Sequence, residues 1–222
     1  AAYPGVELPL HGRFQSGNAA VAVAAVQLYA SALGVALPEE AVRRGLGAVR
    51  WRGRLEPIGK RPSTYLDVAH TPDSAIAVRE SLAEIHPFVD PSESVVLFGC
   101  LADKRSDQLL DALVPIAQTV VVAPVRSERS ADPNLLRRQA MGRFRRVVQA
   151  PDARRGFALA HASVGAEGIL LVVGSDYLVG EVLEELEGRP ADEPDLSDPG
   201  LAAPTMETTR VVKPLRASDG GP

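Results

Sequence analysis

Cysteine is nearly absent from this 222-residue chain, and Cys100 is its only thiol. That excludes a disulfide framework and any zinc site built on paired cysteines, and it fits a reducing cytoplasm. Two glycine patterns are also missing. No G-x-x-x-x-G-K-[ST] phosphate loop and no G-x-G-x-x-G turn occurs, so the chain has no self-contained apparatus for splitting ATP. Positive charge is not in excess. With 24 Lys and Arg against 28 Asp and Glu, the net charge of -4 argues against a general nucleic-acid binder. His11, His86 and His161 lack the spacing of metal ligands, and no internal repeat is present.

One long apolar run does occur, from Ala19 to Leu37. It is mostly Ala and Val, which insert weakly into membranes, and Gln27, Tyr29 and Ser31 interrupt it. A small-residue helix packed closely on its neighbours is the expectation, not a membrane span or a signal peptide. Ser16 or Asn18 would cap that helix and Gly34 would stop it near Leu33. A short extended piece, Val6 to Leu10, precedes it. Pro38 then opens a second helix running to about Gly47, with Glu39 and Glu40 near its positive end. Such a pair reads as the tail of a domain. The chain opens at Ala1 without an initiator Met, and the expectation is that it was cut from something longer.

After Trp51 the pattern changes. Strands are expected near Leu55–Ile58, Thr64–Leu66, Ser94–Phe98, Thr119–Ala123, Arg146–Gln149 and Gly168–Val173. Helices are expected near Pro72–Ile85, Ser106–Ile116, Asn134–Met141, Ala153–Ser163 and Ser175–Leu186. Runs such as VVLF and ILLVV lack polar alternation, as strands covered on both faces do. The regular alternation predicts an α/β fold with a doubly wound, mainly parallel, Rossmann-like sheet, preceded by the helix pair. Beyond Glu187 the chain turns to Pro, Asp, Glu, Gly and Ser, and residues 188 to 222 read as a disordered or loosely draped tail.

The stretch Tyr65 to Ser81 organises the chemistry. Asp67 and His70 follow an apolar strand and precede a helix that Pro72 opens, which is where open α/β sheets bind ligands. A carboxylate there can hydrogen-bond ribose hydroxyls, and a histidine can hydrogen-bond phosphate or carboxylate. The alternative is an Asp and Thr71 that merely cap the helix, with His70 exposed. Arg54, beside Gly53, suits bidentate phosphate binding, with glycine letting a ligand approach; the alternative is a solvated arginine in a tight turn. Gln15 and Asn18 could read a purine edge, or Asn18 could serve only as a cap. Asp103 and Lys104, in the loop Gly99 to Lys104, could position a charged substrate or form a plain surface turn. Ser175 can cap the last helix or offer donors to a carboxylate. Cys100 has no local histidine and reads as inert.

Five motifs then stand in a telling order: GRFQSGNAA (Gly12 to Ala20), WRGRLE (Trp51 to Glu56), LDVAHTP (Leu66 to Pro72), GCLADK (Gly99 to Lys104) and GSDYLVGE (Gly174 to Glu181). Together they resemble the folylpolyglutamate synthase/dihydrofolate synthase family of the Mur ligase superfamily, over its carboxy-terminal part. The resemblance implies residues 1–50 as the tail of a central ATPase domain and 51–187 as a glutamate-binding domain of Mur ligase C-terminal type. It implies an ATP- and magnesium-dependent ligase that activates a folate-type carboxylate as an acyl phosphate, which the amino group of L-glutamate attacks. By that resemblance Asn18, Arg54 and Asp67 contact ATP, His70 lies near the reacting phosphate, and Ser175 and Lys104 serve the incoming glutamate. Magnesium ligands would come from the absent ATPase domain or subunit, without which the chain would be inactive. Two departures stand out: Phe14 replaces the family's usual histidine, and His70 to Ser74 (HTPDS) is closer to the murein tripeptide ligases. The competing reading, from another class, is a stand-alone binding or regulatory module that kept the fold and lost the chemistry.

Overall fold

A computed structural model describes residues 3–188. Residues 1–191 form one compact unit and 192–222 a second. The tail expected over 188–222 therefore lies, Gly188 apart, outside the described residues.

The elements run α1 (Phe14–Ala32), α2 (Glu39–Ala48), β1 (Glu56–Lys60), β2 (Ser63–Asp67), α3 (Pro72–Ile85), β3 (Val95–Phe98), α4 (Ser106–Leu113), β4 (Thr119–Val122), α5 (Pro133–Ala140), β5 (Arg146–Gln149), α6 (Ala153–Ser163), β6 (Ile169–Val173) and α7 (Asp176–Glu187). Six strands form one sheet in the order β1-β2-β6-β3-β4-β5, with β1 antiparallel to β2 and every other pair parallel. The apolar strands β3 and β6 are buried at every position, as a sheet covered on both faces requires. Two core clusters lie on the two faces. One joins Val96, Phe98 and Leu171 to α3, α4 and α5 through Val78, Leu109 and Leu136; the other joins Leu97, Val121 and Val172 to α6 and α7 through Ala160 and Leu178. The doubly wound expectation holds.

Helix starts in this part are chemically specified. Thr71 caps α3 in a reciprocal capping box with Ser74, and Asp132, Asp152 and Ser175 cap α5, α6 and α7. Strand and helix bounds differ from expectation by a few residues at most. The shift at β1 has a cause: Leu55 has φ +45°, outside the strand region, so β1 begins after it.

The N-terminal part corrects three expectations. Helix α1 begins at Phe14, with Arg13 at the cap position and no side-chain cap bond, so neither Ser16 nor Asn18 caps it. Pro38 is the N-cap of α2 and not a first-turn residue. The close packing expected of α1 is not found: Gln15 is its single buried residue, while Leu28 is 74% exposed and Val21 71%. Gly34, at φ +66°, does follow the end of α1 as expected. Val6 to Leu10 forms no strand. No described helix is long and apolar enough to cross a membrane.

Candidate functional site

Strands β2, β6 and β3 end level. Asp67 pairs with Val173, and Val173 with Phe98, so the loops after these strands leave from one row. Helices α3 and α7 leave adjacent strands toward opposite faces, which opens a crevice at the C-terminal edge. Glycine makes the loops fit. Gly174 has φ +126°, and a Cβ there would lie 2.5 Å from the Gly99 carbonyl oxygen.

Three of the expected site residues meet there. His70, Lys104 and Ser175 line one cavity of about 90 Å³ with Leu101, Asp176 and Tyr177. The His70 Nδ1 lies 3.0 Å from the Val68 carbonyl oxygen. A carbonyl only accepts, so Nδ1 carries the proton and Nε2 is the nitrogen left for a ligand. Neutral His70 thus offers a lone pair, and cationic His70 a second donor. Lys104 Nζ sits 3.3 Å from Asp103, which also accepts from Arg129 at 2.9 Å. That arginine arrives on a neighbouring loop whose carbonyl accepts from the Ala102 N–H at 2.8 Å. Ser175 is buried and its hydroxyl is committed: it donates to the Gly99 carbonyl at 3.1 Å and accepts from the Leu178 N–H at 3.1 Å. Its hydroxyl therefore holds the loop in shape, and the first-turn N–H groups of Asp176 and Tyr177 remain as donors toward an anion.

Asn18 and Arg54 meet in a second cavity, of about 390 Å³, which Trp51 and Gln15 also line. Arg54 is exposed, and its guanidinium forms no hydrogen bond or ion pair among the described residues. Asn18 Nδ2 donates to Gln15 Oε1 at 3.1 Å, while Gln15 Nε2 is buried without a partner. A buried amide donor left unpaired costs about 1–3 kcal/mol, so this cavity is built for an occupant with hydrogen-bond acceptors. A purine nucleotide fits that description. The described residues hold no cluster of three His, Cys, Asp or Glu side chains that could bind a metal ion, so they do not fit magnesium.

Asp67 lies in neither cavity. It is 3% exposed, and its two oxygens accept backbone N–H groups from Leu55 at 2.8 Å and Ala69 at 2.7 Å. Burial pushes its carboxyl up to about 6 against the opposing pull of those two bonds and of Arg54 and His70. The helix-capping alternative for Asp67 does not hold; Thr71 does that work alone. Nor does Gly53 open the backbone to a ligand: it is buried at φ +67°, and a Cβ there would lie 2.9 Å from Val179 Cγ1. Cys100 is buried, and burial together with Asp103 raises its thiol to about 12, as an inert residue requires. Sequence reasoning missed Arg129. The turn-forming run Ser127 to Pro133 marked a loop, but nothing in it named the neighbouring strand.

Residues 53–176 match the family described as Mur ligase, glutamate ligase domain. A dihydrofolate synthase/folylpolyglutamate synthase of Mycobacterium tuberculosis is 38% identical over 143 residues, which is 64% of this chain and 29% of that protein. A UDP-N-acetylmuramoyl-L-alanyl-D-glutamate–2,6-diaminopimelate ligase of Brucella melitensis is 26% identical over 80% of this chain and 36% of that protein. Among solved structures, M. tuberculosis folylpolyglutamate synthase complexed with ADP and AMPPCP superposes with a TM-score of 0.70 at 32% identity, covering 85% of this chain and 43% of that one. The chain spans less than half the length of these relatives.

Proposed function

Since this chain belongs to the Mur ligase family, whose glutamate ligase domain it carries, we propose that it is the C-terminal part of an ATP-dependent carboxylate–amine ligase. The reaction is the addition of L-glutamate to a folate-type carboxylate through an acyl phosphate. Residues 1–50 are the end of the central ATPase domain and 51–187 the glutamate-binding domain. The observation that carries this reading is the convergence of His70, Lys104 and Ser175 on one cavity at the C-terminal edge of the sheet. Lys104 and the N-terminus of α7 supply positive potential for the carboxylates of an amino acid. Neutral His70 can take a proton from the attacking ammonium, or in its cationic form steady the phosphate it displaces. Asn18 and Arg54 serve the nucleotide from the other cavity, supported by the unpaired Gln15 amide, and Asp67 belongs to the same side. The phosphate loop and the magnesium ligands lie outside the described residues, and closure of the ATPase domain on this one completes the site.

The murein-type ligases supply a second reading of the substrates. Both the HTPDS segment and the diaminopimelate-adding relative point to it, and the two readings share the chemistry and differ in the acceptor and the amino acid.

Two assays test the proposal. The chain alone, given ATP, magnesium, L-glutamate and a pteroate-type acceptor, forms no amide; product from the chain alone would overturn the missing-domain reading. In the ligase that contains this segment, His70→Ala lowers kcat by about 100-fold, on the scale of losing a general acid–base group. An unchanged rate would remove His70 from the chemistry.

A further inference from the structure

The two cavities are joined by a single buried carboxylate. Asp67 Oδ2 accepts from Leu55, the residue after Arg54, and Asp67 Oδ1 accepts from Ala69, the residue before His70. The turn that carries Arg54 is strained and tightly pinned. Leu55 has φ +45° with its side chain fully buried; the Gly53 N–H donates to Glu56 at 2.8 Å, and the Gly53 carbonyl accepts from Val68 at 3.0 Å. A bulky residue held at positive φ costs about 1–3 kcal/mol and persists only where its surroundings fix it. Asp67 is what fixes it here. The position also explains the residue type: only a carboxylate can accept on both branches at once, since an amide would turn an NH₂ toward one of the two donors. Arg54 itself is left exposed and unpaired, pre-set by its neighbour's backbone and not by its own contacts.

We propose that Asp67 is a positioning residue which locks the Arg54 turn to the His70 loop, so that the nucleotide-side and phosphate-side groups hold one fixed geometry. This rests on the reading that Arg54 and His70 face the ligands of a ligase. At 3% exposure, Asp67 acts through these two loops and not by touching a ribose. The charges that face it are those of Arg54 and His70.

The lock is tested in two independent ways. In the ¹⁵N-labelled chain, the Leu55 and Ala69 amide protons shift together with pH, sharing one midpoint. Asp67→Asn abolishes both titrations, and His70→Gln leaves them in place. In the ligase that contains this segment, Asp67→Asn raises KM for ATP about tenfold. Adding Arg54→Ala to it then costs far less than Arg54→Ala costs alone, because both changes break the same arrangement. Amides that ignore Asp67, or variant effects that simply multiply, would overturn the proposal. The wild-type titration needs no variant to fold. A ligase indifferent to ATP would instead refute the reading of function, leaving the amide titration to decide whether the two loops are tied.

Discussion

The sheet region and the helix pair obey different rules. From Gly53 onward, apolar side chains are sorted onto two faces of a sheet, and Thr71, Asp132, Asp152 and Ser175 each cap a helix. In α1 and α2 no side chain caps either helix, Gln15 and Val42 are the buried residues, and Val21, Val26, Leu28 and Tyr29 stand exposed. A 19-residue helix gains its stability from packing an apolar face, and α1 has no such packing among the described residues. The difference teaches that apolar content alone does not make a core. A sheet has two faces that its own chain returns to cover, whereas a lone helix pair must be met by something else.

The largest expected effect contrasts the two regions directly. Phe98→Ala, at a fully buried strand position, lowers the unfolding free energy by about 3–5 kcal/mol. Leu28→Ala in α1 changes it by less than about 0.5 kcal/mol in this chain. Urea denaturation of the two variants makes the comparison, and equal losses would mean that α1 is packed after all.

The next effect is set by pH. The Asp67 carboxyl is raised in the folded chain, from 3.8 to about 6. Between these values the folded state binds the extra proton, so the contribution of this group to stability is full below about pH 4 and is lost as pH rises through about 6. The loss amounts to about 3 kcal/mol over that window. Asp67→Asn does not titrate. The stability of the wild type relative to that variant should therefore fall between pH 4 and pH 7, and a flat difference would mean that Asp67 is hydrated. Above pH 6 the charged form holds both N–H groups, so the lock on Arg54 is tightest where the fold bears most of its cost.

The smallest effect concerns caps. Ser175→Ala removes a bond to the Leu178 N–H and one to the Gly99 carbonyl, costing about 1–2 kcal/mol. Arg13→Ala, at the uncapped start of α1, removes one exposed pair with Glu84 and costs under about 0.5 kcal/mol. Matching losses in thermal unfolding would erase the distinction drawn between the regions.

Much of the site was legible beforehand because strand ends and helix starts are marked by residues with local jobs. Pro72 and Thr71 announce α3, so Asp67 and His70 fall at the edge of the sheet by counting alone. The roles within that edge were less legible. Gly53 reads as an opening for a ligand but serves close packing, and Ser175 reads as a donor but spends its hydroxyl on a loop and a cap. Those outcomes depend on Val179 and Gly99, which are far along the chain. Arg129 escaped notice for the same reason.

By itself, the sequence determined the alternation of strands and helices, the doubly wound class and the order of the motif loops, because periodicity and capping act over a few residues. Tertiary structure alone decided that Asn18 and Arg54 share one cavity, that His70, Lys104 and Ser175 share another, and that Asp67 ties the two loops from beneath. Those facts rest on strand order and on backbone N–H directions, and no local pattern encodes which distant amide a buried carboxylate will meet.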